Sequence, residues 1–339
     1  DGGSAVTWNS LAWLPRWPYG KELHSPFTVS ESGYPTGNAV MTGNTMLMHL
    51  NETSGTIGDV SGNNNNGTNF GSVYGVTGKF NNALSFNGSS QYVRVNSAPS
   101  LNLPNTGGTV MAWIKPTINL SQNTGMGIIR KPDFVGNLAA QGGYSMEIFR
   151  NTPGGPQNIK VQLGNGNWNQ YQNLVGNTNL VSGTWYHIAL NWDAATMRIY
   201  LNGVLDGSAA RTSNLSWVYG TENLYIGHMN SAISTGLAWY IGLIDEIALF
   251  SRNLSPTEIM DTYKRGALSP KLRVSSCDDT VCSGEAFVGP DGGAGTYFSE
   301  ETNAGLTPTA AFTPNVPANR YLQYQLILDT DTSTFGPEI

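Results

Sequence analysis

Charge is what this sequence has least of. Asp, Glu, Lys and Arg make up 12% of its 339 residues, about half the share usual in globular chains. Basic residues never run longer than two in a row, and the formal net charge is −6. Nucleic-acid binding rests on clustered cations that neutralise phosphates, so that class is excluded. Long apolar runs are missing too, which excludes a membrane-spanning helix. Cysteine is scarce: Cys277 and Cys282 stand alone, with Asp-Asp-Thr-Val between them. A small disulfide loop fits that spacing. Half of a metal site also fits, although no second Cys or His pair completes one. The start, Asp1-Gly2-Gly3, is polar and shows no leader pattern. It fits a mature product or a piece of something longer.

Glycine is abundant, at 41 residues, and aromatics reach 10%. Asn, Thr and Ser are dense in every segment. Few charges, many turn formers and many aromatics together indicate an all-β secreted protein with long polar loops. Such a setting, extracellular or at the cell surface, favours the disulfide reading of the cysteines.

Residues 1–43 read as an extended segment. Trp8, Trp13 and Trp17 alternate there with Pro15 and Pro18, and serve as packing anchors. From Asn44 onward short apolar runs are bounded by turn residues. Tyr92-Val93-Arg94-Val95 alternates with period two, as a half-buried strand does. Val110–Ile114 and Trp185–Trp192 are denser runs, and Trp113, Trp185 and Trp192 are expected in the core. Asn202-Gly203 marks a hairpin, because both turn positions favour positive φ. One helix is predicted. Ser255-Pro256-Thr257-Glu258 is a capping box with proline at the first helical position, and Gly266 is the expected C-cap. Strands with one late helix give a β-sandwich or jelly roll over 44–267. A small β domain follows over 268–339, where Tyr321–Leu328 alternates. Its size makes it incomplete alone, and the N-terminal segment is expected to supply a strand.

The ordered motifs of 44–267 resemble the laminin-G-like jelly roll of the concanavalin A-like lectin/glucanase superfamily. They are Asp59-Val60-Ser61-Gly62, Ala83-Leu84-Ser85-Phe86-Asn87-Gly88, Ala112-Trp113-Ile114-Lys115-Pro116, Tyr200-Leu201-Asn202-Gly203 and Gly242-Leu243-Ile244-Asp245-Glu246-Ile247. The flanking pieces Pro18–Leu23, Ser283–Phe287 and Arg320–Tyr324 resemble segments around such domains in trimeric fibre adhesins of predatory bacteria. That likeness implies a fibre tip and a homotrimer. The superfamily resemblance implies a concanavalin A-like sandwich and a structural calcium between Asp59 and Asp245, with loop carbonyls completing an oxygen shell. Asp59 capping its own turn is the competing reading, and Glu246 is expected to face solvent.

Catalysis finds little support. Glycoside hydrolysis needs two carboxyl groups across a cleft, and no such pair is legible; Glu147 stands alone. His187 lies in a buried run, as a structural histidine does, whereas His228 sits at a strand end where a ligand is within reach. Aromatics flanked by amides point to a sugar-binding surface instead. Three stretches offer them, with Trp168 and Tyr171, with Trp217 and Tyr219, and with Trp239 and Tyr240. The expected function is an adhesion or carbohydrate-binding module recognising a cell-surface glycan. A ligand-free structural domain of a surface fibre and an accessory module of a glycoside-active enzyme are the alternatives.

Overall fold

Alternation of the Tyr92-Val93-Arg94-Val95 kind recurs through the middle of the chain, and in the computed structural model it builds two antiparallel sheets. The structure describes residues 3–24, 29–117, 124–132, 143–152, 154–164, 171–212, 221–229, 239–301, 303, 305–332 and 336. Residues 25–29 and 41–260 form one unit, and residues 1–24, 30–40 and 261–339 a second.

The first unit is a jelly-roll sandwich. One sheet contains β1 (Asn44–Met48), β3 (Val73–Thr77), β4 (Asn82–Asn87), β6 (Gly107–Pro116), β11 (Tyr186–Asp193), β12 (Thr196–Leu201), β13 (Val204–Ala210) and β15 (Ile241–Phe250). Its order is β13-β12-β11-β6-β15-β4-β3, with β1 also on β15. The other contains β2 (Gly67–Phe70), β5 (Tyr92–Val95), β7 (Thr124–Lys131), β8 (Gly143–Arg150), β9 (Gln157–Gly164), β10 (Tyr171–Val175) and β14 (Leu224–Ile226). These run in the order β10-β9-β8-β7-β14-β5-β2. Val110, Ile114 and Ile188 from the first sheet share one buried core with Val93, Val95, Ile148 and Ile226 from the second. A one-residue slip of β5 would expose both valines and bury Tyr92 and Arg94. Each aliphatic kept buried is worth about 1.5–3 kcal/mol, so the core fixes which side chains the sheet turns outward.

Local signals account for the connections. Asn202 and Gly203 both hold positive φ, at 50° and 77°, in the β12–β13 hairpin. The helix α1 (Pro256–Ala267) begins on its capping box. Glu258 N–H donates to Ser255 Oγ at 3.2 Å, and Ser255 N–H donates to Glu258 Oε2 at 2.8 Å. Gly266 does not end the helix but lies inside it, because Leu268 starts the next strand directly. Trp113 and Trp192 are core residues as expected, whereas Trp185 precedes β11 and is only half-buried. Glu246 is buried, not solvent-facing, and pairs with His49. Its φ of 49° and the β15 irregularity between Asp245 and Ala248 break the alternation that would have turned it outward.

The second unit is built on β16 (Leu268–Cys277) paired antiparallel with β17 (Tyr321–Thr330). Bridges Val6↔Asn319 and Leu11↔Phe312 tie the N-terminal segment to this unit. Leu272, Val274 and Phe298 form its small core, with Leu11, Trp13 and Phe312 packed against them. Cys277 and Cys282 are joined by a disulfide. A buried ion cluster lies in the same unit: Glu31 pairs with Arg265 at 2.7 Å and with Lys21 at 2.9 Å.

Candidate functional site

The outward face of the seven-stranded sheet carries an aromatic cluster. It is assembled by pairing rather than by proximity in sequence. In β2 and β5, Phe70 lies opposite Tyr92 and Thr68 opposite Arg94; on the other flank of β5, Arg94 lies opposite Tyr225 of β14. Tyr225 in turn pairs with Arg130 of β7. Leu224, Ile226, Val93 and Val95 fill the core, so the residues between them point away from it.

The rings touch in sequence across this face. Phe70 and Tyr92 stack with centroids 4.5 Å apart. Tyr92 meets Tyr225 at 6.1 Å, His228 at 5.8 Å and Trp239 at 5.9 Å. His228 and Trp239 lie nearly parallel at 3.8 Å, held by a bridge between their backbones. Gly127 makes this possible, since a Cβ there would stand 2.4 Å from Met229 Cγ; the strand must be bare for residues 228 and 229 to lie on it. Burial, with Arg130 nearby, lowers the His228 pKa to about 4. Its imidazole is therefore neutral at pH 7 and offers one donor and one acceptor.

Across the rest of the face, Glu147 of β8 pairs with Lys160 of β9 at 2.8 Å, and Lys160 also lies over the Phe149 ring at 4.3 Å. Tyr171 is exposed on β10, at the far edge. Five strand spacings separate β5 from β10, or about 24 Å, so no single sugar ring reaches both Tyr92 and Tyr171.

The expected ligand residues therefore divide. Trp239 joins the cluster and Tyr171 lies at the opposite edge of the same face. Tyr240 does not face a ligand: it is fully buried, packs edge-on against Phe86 at 6.0 Å, and its hydroxyl donates to the Leu243 carbonyl. Trp168, Trp217 and Tyr219 lie outside the described residues. Phe70, Tyr92 and Tyr225 were not anticipated. His187 is buried against Trp113, and burial lowers its pKa to about 3, so it stays uncharged in the core.

Asp59 and Asp245 both act on nearby N–H groups. Asp59 Oδ1 accepts from Leu47 N–H and Ser61 N–H, and Oδ2 from Ser61 Oγ and Asn65 N–H, all at 2.8–2.9 Å. A carboxylate has about four acceptor positions, and protein donors use all four at Asp59. Asp245 Oδ2 accepts from Lys79 N–H and Phe80 N–H. Donors crowd both Asp59 oxygens where a calcium shell needs further acceptors, so the residues around Asp59 do not fit that ion.

A laminin-G-type family model, described as the concanavalin A-like lectin/glucanases superfamily, matches residues 87–260. Among solved structures, the binding domain of Paraclostridial Mosquitocidal Protein 1 is similar, with a TM-score of 0.52 and 14% identity over 72% of this chain and 63% of that one. The binding domain of botulinum neurotoxin DC, solved in complex with SialylT, gives 0.51 and 14% over 73% and 62%. That of botulinum neurotoxin serotype C1 gives 0.51 and 13% over 70% and 60%. The chain thus spans less than two thirds of each of these structures, and the likeness is one of fold. No curated protein matches by sequence. The family match covers half of the chain, from the end of β4 through β15, and takes in all of the ring cluster but Phe70, and the chain belongs to the concanavalin A-like lectin/glucanases superfamily.

Proposed function

We propose that the chain is a carbohydrate-binding module that takes sugars on the outer face of its seven-stranded sheet, beside Tyr92, Tyr225, His228 and Trp239. The observation that carries this is the ring cluster. It is contiguous and half-buried, on a sheet whose reverse side is the core. Sugar rings present apolar C–H faces that stack on such rings, and their hydroxyls need partners of the kind neutral His228 supplies. A neurotoxin binding domain of the same fold, solved with SialylT, supports a glycan as the ligand class. Among the described strand residues of this face Glu147 is the one carboxylate, and Lys160 holds it. That supports binding rather than turnover, which needs a facing pair. In its wider setting we read the module as extracellular and adhesive, directed at a cell-surface glycan.

A glycan array on the full chain, followed by titration of Trp239→Ala and Tyr92→Ala, tests the proposal. Affinity for the best-bound glycan should fall about tenfold or more in each variant. Trp168→Ala, Trp217→Ala, Tyr219→Ala and Tyr171→Ala belong in the same panel. Binding to no glycan, or unchanged affinity in both Trp239 and Tyr92 variants, sinks it.

A second reading, assembly between copies of this chain, is favoured by β17. Tyr324 is 67% exposed and Leu328 46%, on the strand beside an apolar groove of about 310 Å³ lined by Leu11, Trp13, Pro270, Leu272, Tyr324 and Leu326. Exposed apolar surface of this kind commonly marks an interface. Light scattering should then show an oligomer, the homotrimer among the candidates, that Tyr324→Lys dissociates. A strict monomer at all concentrations removes this reading.

A further inference from the structure

We infer that the sugar bound at the ring cluster is an acidic one, its anionic group held by Arg94. This deepens the carbohydrate reading above and rests on it. Arg94 projects from the middle of the cluster's central strand, between Thr68 on one side and Tyr225 on the other. Its guanidinium lies over the Phe70 ring at 4.9 Å. Its Nε is buried and has no hydrogen-bond partner among the described residues. Nor does it form an ion pair among them. A guanidinium held over an aromatic ring, with its Nε–H unused among the described residues, is placed for a carboxylate or sulfate, which it binds through paired N–H donors.

The surroundings reinforce the sign. Arg94, the buried Arg130 and Lys160 lie on the same side of the sheet, where Glu147 is the one carboxylate among the described strand residues. Glu147 is 2.8 Å from Lys160 and also acts electrostatically on Arg130, so its charge is divided between those two. Arg94 stands two strands from Arg130, or about 10 Å. Apart from Glu222, residues 213–240, the stretch that runs through β14 to Trp239, contain no Asp or Glu. On a chain of net charge −6, a guanidinium among the rings of this face is a local exception. A neutral sugar would stack on these rings without using it.

Matched acidic and neutral probes test the inference on the full chain. The pairs are sialyllactose against lactose, oligogalacturonate against its carboxyl-reduced counterpart, and keratan sulfate against its desulfated, uncharged counterpart. In at least one pair the acidic member should bind about tenfold tighter or more. Which pairs discriminate tells carboxylate from sulfate. The preference should shrink as salt rises from about 50 to about 500 mM, as screening requires. In Arg94→Gln the ratio of acidic to neutral affinity should fall toward one, whereas Arg94→Lys should keep part of it. Salt dependence of the unmodified chain decides the matter if Arg94→Gln fails to fold. Equal binding of both members of every pair overturns this inference and leaves the carbohydrate reading standing. Binding of no probe and no arrayed glycan overturns both.

Discussion

Replacing Glu31 by alanine is expected to cost about 3–5 kcal/mol, the largest single effect on the unit that contains β16 and β17. Glu31, Arg265 and Lys21 have almost no solvent contact. Arg265 is spent on Glu31 and on the Lys21 and Glu22 carbonyls. Lys21 donates to the Gly305 carbonyl at 2.7 Å and to Tyr34 Oη at 3.1 Å, and Tyr34 in turn donates to Glu300. Two buried cations therefore share one carboxylate, and its removal strands both. The acid response has a defined sign. Burial alone would raise the Glu31 pKa, but Arg265 and Lys21 outweigh it and hold it below the usual carboxylate value. A depressed carboxylate stabilises above its unfolded pKa of about 4.3, and that contribution is lost as pH falls through the lower folded value. The Lys21 pKa is lowered as well, by its burial, which the neighbouring Glu31 offsets only in part. Urea denaturation of Glu31→Ala at pH 7 and below pH 4 checks both points. The deficit should be large at pH 7 and shrink in acid. A loss under about 1 kcal/mol at pH 7 contradicts the argument.

That cluster had no signature in the sequence, and the reason is general. Residues 21, 31 and 265 meet only after the chain has folded, and nothing local distinguishes a charge that will be buried from one that will not. The sandwich was different. Tyr92-Val93-Arg94-Val95, the Asn202-Gly203 turn and the Ser255–Glu258 capping box are local devices, and each reappears in the structure as its chemistry requires. The ring cluster falls between the two cases. Alternation in β5 already places Tyr92 and Arg94 opposite the valines, so their outward direction was legible. Their neighbours were not: Phe70, Tyr225 and Trp239 arrive through the strand order β14-β5-β2 and one bridge to His228. Trp239 and Tyr240 show how fine the distinction is. Adjacent in sequence, one stacks on the half-buried histidine and the other is wholly in the core. Glu246 shows the converse, since a left-handed backbone at one position undoes the alternation that a reader of the sequence must assume.

Asp59→Ala is expected to destabilise the jelly-roll unit by about 3 kcal/mol or more, and chelation to do almost nothing. The alanine leaves Leu47, Ser61 and Asn65 N–H groups and the Ser61 hydroxyl without their acceptor. Each buried donor left unsatisfied costs about 1–3 kcal/mol, with relaxation recovering part of the total. Asp59→Asn retains one oxygen that serves two of the donors, and should fall between alanine and the parent. Calcium makes the contrary case sharp. An ion bound only by the folded chain, supplied at a hundred times its Kd, would stabilise by about 2.7 kcal/mol. In a unit of this size that corresponds to a Tm shift of about 5–10 °C. Melting the full chain in excess calcium and in excess EDTA should give Tm values within about 1 °C, because Asp59 has no acceptor position left for an ion. A calcium-dependent rise of several degrees that vanishes in Asp59→Asn would show that the carboxylate trades its N–H partners for the metal, and would restore the calcium site that the superfamily resemblance implies.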